Sequence, residues 1–431
     1  MKIHGKTAAE IFDCVRGLAQ SQQLPAGSSL PPVRDLAVEL GVNRNTVAAA
    51  YRRLVTAGIA ITQGRLGTLI RDQCQPGEQE GALPDSPLTD LASGNPNPAW
   101  LPDPNAALRV RPYVPRLYGE PTLNPGLHTY LQGWFSPDCP AGFEIDLAHG
   151  AVDAIERLLS AYLVAGDRIA VENPCFLSSI NTLRTLGLQP VGVPVDEHGM
   201  SAEGLEAVLA KGVQAVIITP RAHNPTGTCL SEKRARALTR LLARHPNVLI
   251  IVDDHFSLLA SKPYHSVLPR TAQRWALVRS LTKALGPDIR VAAIASDPAT
   301  SRQLRLRLAS GTSWVSHLLQ DVVEISLTQP QSQALLAQGR ADYARRRQTL
   351  EAALLAQGIA CVTDGDGLNL WVPLPGDDQA VALSLARHGW LVRHGEAFSV
   401  QEPVRGLRLT LSTIEPAQCE RLALDLRRSL A

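Results

Sequence analysis

Lys283 stands in the run Arg279-Ser280-Leu281-Thr282-Lys283-Ala284-Leu285-Gly286-Pro287-Asp288-Ile289-Arg290, behind an apolar strand pattern and at the opening of a loop. The chain uses 36 arginines and only six lysines, so compositional drift would have placed arginine here. Arginine cannot form an imine with an aldehyde; lysine can. Asp253 ends the apolar run Val248-Leu249-Ile250-Ile251-Val252, and Asp254 follows it on what would be the opposite face of a strand. A carboxylate at that end suits a protonated pyridine nitrogen through a charge-assisted bond, and by position either acid could supply it. Gly150-Ala151-Val152 opens a helix after a strand pattern, so its backbone N–H groups and dipole suit an anion. An amine, a ring-nitrogen acid and a phosphate cradle are what pyridoxal phosphate requires of a protein.

These residues need a sheet to bring them together. From about residue 145 a helical pattern through Ala151, Ile155, Leu158, Leu159 and Tyr162 is followed by apolar runs near 168–172, 190–195, 213–219, 247–253, 275–280 and 290–295. Such alternation predicts an α/β fold with a mostly parallel sheet. A helical stretch over about 301–357 comes next, then short strands near 360–373, 389–394 and 406–412. The closing helix lines up Cys419, Leu422, Ala423, Leu426 and Leu430. The reading is a body over 90–431 whose smaller α+β subdomain occupies about 301–431.

Ahead of the body, residues 1–71 read differently. Ile11, Val15 and Leu18 mark one amphipathic helix, and Val33, Leu36, Ala37 and Leu40 a second, entered through Pro31 and Pro32. Asn43 caps a third that carries Val47, Ala50, Tyr51 and Leu54 and stops at Gly58. Residues 59–70 read as two β-rich arms around a Gly-Arg turn, which makes a helix-turn-helix with a wing. The segment holds nine Lys or Arg against four Asp or Glu, whereas the remainder holds 33 against 36. A basic front and a slightly acidic body fit a module that meets phosphate and one that does not. Between them, residues 72–89 lack hydrophobic periodicity and are rich in Gly, Pro and acids, the mark of a slack linker.

The seven cysteines are odd in number and scattered without metal-ligand spacing, which reads as reduced thiols and no metal site. The first residues lack the apolar core of a signal peptide, and no apolar run reaches the length of a membrane span. Cytoplasmic location is the expectation.

The stretches Leu30-Pro31-Pro32-Val33-Arg34-Asp35-Leu36-Ala37, Val42-Asn43-Arg44-Asn45-Thr46-Val47, Ala49-Ala50-Tyr51-Arg52-Arg53-Leu54 and Gly64-Arg65-Leu66-Gly67-Thr68 resemble the GntR-type winged helix. That resemblance implies DNA contacts by Arg34, Arg44 and Thr46, with Asn43 at the start of the recognition helix and Arg65 in the wing. The first turn of such a helix enters the major groove, where arginine pairs with guanine. Arg52 and Arg53 could equally be a solvated helix face.

The order of elements in the body, with Arg221-Ala222-His223-Asn224-Pro225-Thr226-Gly227, Asp253-Asp254-His255 and the lysine run, resembles fold-type I aminotransferases. The resemblance favours Asp253 over Asp254 at the ring nitrogen and implies that Asn224 bonds the ring 3-oxygen and Phe176 stacks on the ring. Ser280 and Arg290 match its phosphate positions beside Gly150, Ala151 and Val152. Tyr118 matches a tyrosine that reaches the partner subunit's phosphate, and Arg408 an arginine for a substrate or effector carboxylate. An exposed strand-end arginine is the alternative for Arg408. Three places depart from the pattern: His255 replaces a tyrosine, with an imidazole expected to change state near neutral pH; Asp288 replaces a glycine; Ala151 and Val152 replace a polar residue. A winged helix joined to this body resembles the MocR/GabR class of regulators, and within it the regulators of vitamin B6 salvage. The class implies a homodimer on operator DNA, with pyridoxal phosphate or an amine adduct as effector and a body that senses rather than turns over. A working aminotransferase with an accessory DNA-binding module is the alternative reading.

Overall fold

The computed structural model of the protein describes residues 2–57, 59–62, 67–70, 79–81 and 86–430. The chain divides into two compact units, one formed around residues 1–77 and the other from most of 78–431.

The first unit holds α1 (Ala8–Gln20), α2 (Val33–Leu40), α3 (Arg44–Thr56), β1 (Ala60–Thr62) and β2 (Thr68–Ile70). The Thr7 and Asn43 side chains cap α1 and α3, each accepting from a backbone N–H of the first turn. Gly41 closes α2 at φ +62°, a left-handed position that glycine adopts without a Cβ penalty. Ile11, Val15, Leu36, Val47, Ala50 and Leu54 bury the shared face of the three helices. β1 and β2 pair antiparallel, Ala60 to Ile70 and Thr62 to Thr68, so the two arms expected from the sequence do form a ribbon. Gly58 and Arg65 lie outside the described residues.

The larger unit opens with β3 (Thr89–Asp90), α4 (Pro104–Val110) and α5 (Pro125–Phe135). Its central sheet is built by β4 (Glu144–Ala148), β5 (Arg168–Asn173), β6 (Gln189–Asp196), β7 (Gly199–Met200), β8 (Ala215–Ile218), β9 (Leu249–Asp253), β10 (Trp275–Ser280) and β11 (Ala292–Ser296). Between the strands run α6 (Ala151–Tyr162), α7 (Leu177–Thr185), α8 (Ala202–Ala210), α9 (Glu232–Leu242) and the short α10 (Thr282–Leu285). The strand order is β4-β11-β10-β9-β8-β5-β6-β7. Pairings β10·β9, β9·β8 and β8·β5 are parallel, while β11 runs antiparallel to both β10 and β4. The strands buried on both faces read as continuous apolar runs, which is why they were visible in the sequence.

α11 (Pro298–Ala309), α12 (His317–Thr328) and the 27-residue α13 (Pro330–Ala356) lead to β12 (Asn369–Pro373), α14 (Asp378–Arg387), β13 (Trp390–Leu391), β14 (Arg393–His394), β15 (Gly406–Thr410) and α15 (Pro416–Ser429). Two expectations are corrected here. The smaller subdomain does not begin near 301, because Val315, Val322, Val323, Leu336 and Tyr343 pack into the large core, and Leu350 is the first residue of α13 to join the second core. A helix of this length spans about 40 Å and serves both. Nor is the end of the linker slack. Thr89 and Asp90 pair in parallel with Trp390 and Leu391, and Leu91 is buried in the second core, so residues 89–91 form part of the subdomain.

Candidate functional site

The registers fix one edge of the sheet. Ser280 pairs with Ala292 and Ala292 with Ala148, so the C-terminal ends of β4 and β10 lie together, and the parallel partners of β10 end on the same side. Asp253, Ser280, Lys283 and Gly150 all sit on or just beyond those ends. In open α/β sheets this edge is where ligands bind.

Asp253 and Asp254 are both buried but differ in company. Asp254 accepts from Arg221 Nε at 2.7 Å and Nη2 at 2.9 Å, and from Arg279 Nε at 3.1 Å. Asp253 Oδ1 is buried without a hydrogen-bond partner. Burial, with Asp254 adding to it, pushes the Asp253 carboxyl up to about 7. Near it Glu172 takes the N–H and hydroxyl of Thr219, both at 2.8 Å, and burial pushes its carboxyl up to about 8 against the Thr219 bonds. His223 Nδ1 meets Thr226 Oγ1 at 2.7 Å, and its Nε2 lies 3.4 Å from Glu172 Oε2. A buried acid with an unused acceptor calls for a donor that the chain itself does not supply.

Lys283, on α10, sends its Nζ to the carbonyl of Gly94 at 2.6 Å. Burial pulls its amine down to about 8 against the opposing charge of Glu80, with Arg408 and Arg290 adding to the fall. His255 lies beside this group. Burial and then Lys283 hold its imidazole down to about 4, although Asp254 and Glu80 oppose them. The expected change of state near neutral pH is therefore corrected: desolvation and a neighbouring cation keep the ring neutral there.

At the start of α6, Gly150 has φ +95°, and a Cβ there would come within 3.1 Å of Arg290 Nη2. Arg290, itself left-handed at φ +45°, is exposed and presents its guanidinium to this turn. Ser280 Oγ meets Thr282 Oγ1 at 2.8 Å. Ala151 and Val152 are half-buried at the first turn, and Asp288 is exposed in the short turn Pro287–Ile289. A phosphate group fits such a cradle: a cation, a hydroxyl and a helix start next to a glycine that leaves room.

Arg408 is not an exposed strand-end arginine. It sits within β15 between Trp371 of β12 and Arg393 of β14, fully buried, with its guanidinium 5.1 Å from the Phe398 ring centroid. Its Nη1 donates to Asn224 Oδ1 at 3.0 Å. The fork itself is taken by Glu80: Nη2 donates to Oε2 at 2.7 Å and Nη1 to Oε1, while Asn224 Nδ2 donates to Oε1 at 3.1 Å. Glu80, Gly94, Glu172 and His223 were missed by sequence reasoning as site residues. His223 stands in the Arg221–Gly227 motif already singled out, and for Glu172 its place at the end of the apolar run near 168–172 was an available signal. Nothing local distinguished Glu80 from the other acids of its stretch.

Phe176 is half-buried just before α7. Tyr118 is 92% exposed, with its ring edge-on to Trp314 at 5.6 Å. In the first unit Arg34, Asn43 and Arg44 are exposed and Thr46 is half-buried. Asn43 Oδ1 accepts from the Asn45 N–H at 2.8 Å, so capping uses the amide oxygen and not the NH2. Arg53 instead covers Phe12, 4.9 Å from the ring centroid, which favours a packing role for it.

A three-helix module with a β ribbon ahead of an aminotransferase fold defines a class of DNA-binding transcription regulators. The chain belongs to the aminotransferase class I and II family, matched over residues 136–426, and carries a module of the bacterial regulatory gntR family over residues 7–70. It is a regulator of the MocR/GabR type. It is 53% identical over 428 residues to the vitamin B6 salvage pathway transcriptional repressor PtsJ of Salmonella typhimurium, with 99% of each chain covered. To the regulator TauR of Rhodobacter capsulatus it is 27% identical, covering 91% of this chain and 90% of the other. In fold it is similar to the kynurenine aminotransferase of Pyrococcus horikoshii solved with PMP, at TM-score 0.72 and 21% identity, over 80% of this chain and 91% of that one. It is likewise similar to LysN of Thermus thermophilus, an α-aminoadipate aminotransferase complexed with phosphopyridoxyl-leucine, at TM-score 0.69 and 21% identity, over 80% and 92%. Among the described residues no helix is long and apolar enough to cross a membrane, and no group of three or more His, Cys, Asp or Glu is placed to hold a metal ion.

Proposed function

We propose that this regulator takes pyridoxal phosphate as its cofactor and effector, and that the occupied site sets its affinity for operator DNA in control of vitamin B6 salvage. The observation that carries the reading is the buried, unpartnered Asp253 oxygen on the same sheet edge as an amine held near 8. When bound, pyridoxal phosphate supplies an aldehyde for a primary amine and a ring nitrogen that takes a proton. Lys283 supplies the amine, and burial keeps part of it unprotonated at neutral pH. Asp253 accepts from the ring nitrogen, and Asp254, locked by two arginines, does not compete. Gly150, Ala151, Val152, Ser280 and Arg290 hold the phosphate, Asn224 and His255 face the ring oxygen side, and Phe176 covers the ring. Arg408 takes the carboxylate of an amine ligand.

Tyr118, exposed on its own protomer, reaches the site of a second copy, so the working form is a homodimer. Such a regulator acts where the chromosome is, in the cytoplasm, and by its likeness to PtsJ it represses. Arg34, Arg44 and Thr46 contact the operator, with Asn43 at the helix start. The test uses the full chain and Lys283→Ala, following visible absorbance and operator titration on the same samples. An absorbance band lost in the variant, with cofactor-dependent operator affinity only in the wild type, supports the reading. A band without any effect on DNA points instead to an amine ligand as the signal or to catalysis, and no band overturns cofactor binding.

A further inference from the structure

Glu80 belongs by sequence to the stretch that joins the two units, yet its carboxylate occupies the fork of a fully buried arginine. Burial pushes the Glu80 carboxyl up, but Arg408, Lys283 and Asn224 outweigh it and hold it below the usual carboxylate range. It is therefore charged throughout neutral pH. The neighbouring backbone is fitted to it as well. Gly81 N–H donates to Ser93 O at 3.0 Å, and Arg393 Nη2 donates to Gln79 O at 2.9 Å. Gly94 has φ +67°, and a Cβ there would stand 2.8 Å from Glu80 Oε2, so a side chain at 94 would crowd the carboxylate out.

We infer that Glu80 is a tethered ligand of the Arg408 subsite, and that the carboxylate of an amino acid, free or joined to the cofactor, must displace it to bind. This rests on the reading of Arg408 as the seat of the effector carboxylate. One guanidinium fork accepts one carboxylate in bidentate geometry, and Asn224 already completes the set around Glu80. The two carboxylates are thus mutually exclusive, and the linkage is reciprocal: whatever holds Glu80 in place weakens the ligand, and the ligand weakens the hold on Glu80. Release frees the Glu80 side chain from the body, whereas Thr89 is fixed independently by its pairing with Trp390. The device gives a carboxylate ligand a handle on the segment that leads to the DNA-binding unit, and it gives the unliganded protein a filled rather than an unpaired buried arginine.

The experiment is hydrogen exchange on the full chain loaded with pyridoxal phosphate, read in peptides that contain Gly81. Acetate at saturating concentration is the probe, with chloride at equal ionic strength as control. In the wild type the Gly81 amide is protected, and acetate but not chloride speeds its exchange by about tenfold or more, the scale of a lost charge-assisted pair. In Glu80→Ala and in the isosteric Glu80→Gln the amide exchanges fast already and acetate changes nothing. Wild-type exchange as fast as in Glu80→Ala overturns the seating of Glu80, and equal effects of acetate and chloride overturn the competition. Failure of the cofactor reading shows separately, in the missing absorbance band.

Discussion

Asp253 and Asp254 are neighbours in sequence that end in opposite situations: Arg221 and Arg279 hold both oxygens of Asp254, while Asp253 Oδ1 has no partner. The pleat of the strand divides them, one acid given to the scaffold and one left for a ligand. Asp254→Asn should destabilise the cofactor-free protein by about 3–5 kcal/mol, because it takes the anion from the buried Arg221 guanidinium and one of the two carboxylates, with Asp138, that hold Arg279. Asp253→Asn should not destabilise that protein but should weaken pyridoxal phosphate binding by about 10- to 100-fold. Denaturant midpoints and absorbance titrations on both variants check this, and equal destabilisation by the two would sink the division of roles.

A pH dependence follows with a defined sign. The Asp253 carboxyl moves from its ordinary 3.8 to about 7 on folding, so the folded state binds its proton more tightly than the unfolded one. Its contribution is present below the ordinary value and lost as pH rises through about 7. Asp253→Asn lacks this loss. Compared with the wild type in the absence of cofactor, the variant should gain relative stability steadily between pH 4 and pH 8. A difference that stays flat across that range would show that Asp253 is ionised in the folded protein at acid pH.

Lys283 sets a second midpoint. With its amine near 8, capture of pyridoxal phosphate should quicken through pH 8 rather than through the ordinary lysine value of 10.5. Because Glu80 opposes the fall, Glu80→Ala should shift the midpoint lower still. Stopped-flow absorbance over pH 6 to 10 gives the profile; a midpoint near 10 would mean that the amine is solvated.

In the DNA-binding unit Arg44 is the first residue of α3 and is exposed. Arg44→Ala should weaken operator binding by about 1–3 kcal/mol if it reads a base, and should relax preference at one position of the site. Fluorescence anisotropy with operator and scrambled duplexes separates this from loss of a phosphate contact, which would weaken both alike.

Much of this organisation was legible in the residues alone. Strands such as Leu249–Asp253 are continuous apolar runs, the helices of the first unit repeat at helical spacing, and Asn43 and Gly41 are local signals whose meaning depends only on neighbours a few positions away. The amine, the anion-binding helix start and the pair of candidate acids could be read in the same way. The choice between those acids could not, because it depends on Arg221 and Arg279 arriving from other strands and loops. The state of His255 was misread for a similar reason: its surroundings, not its type, remove water and place Lys283 beside it.

The sequence by itself thus determined the elements, their order and the kinds of chemistry they carry, since propensity, capping and periodicity are properties of short segments. Only the tertiary structure decided which acid is free, that Arg408 is buried, and that an acid of the linker lies 328 residues away in sequence but in hydrogen-bond contact with it. Pairings over such separations are set by how two cores pack and where charge can be compensated out of water, and no local pattern records that.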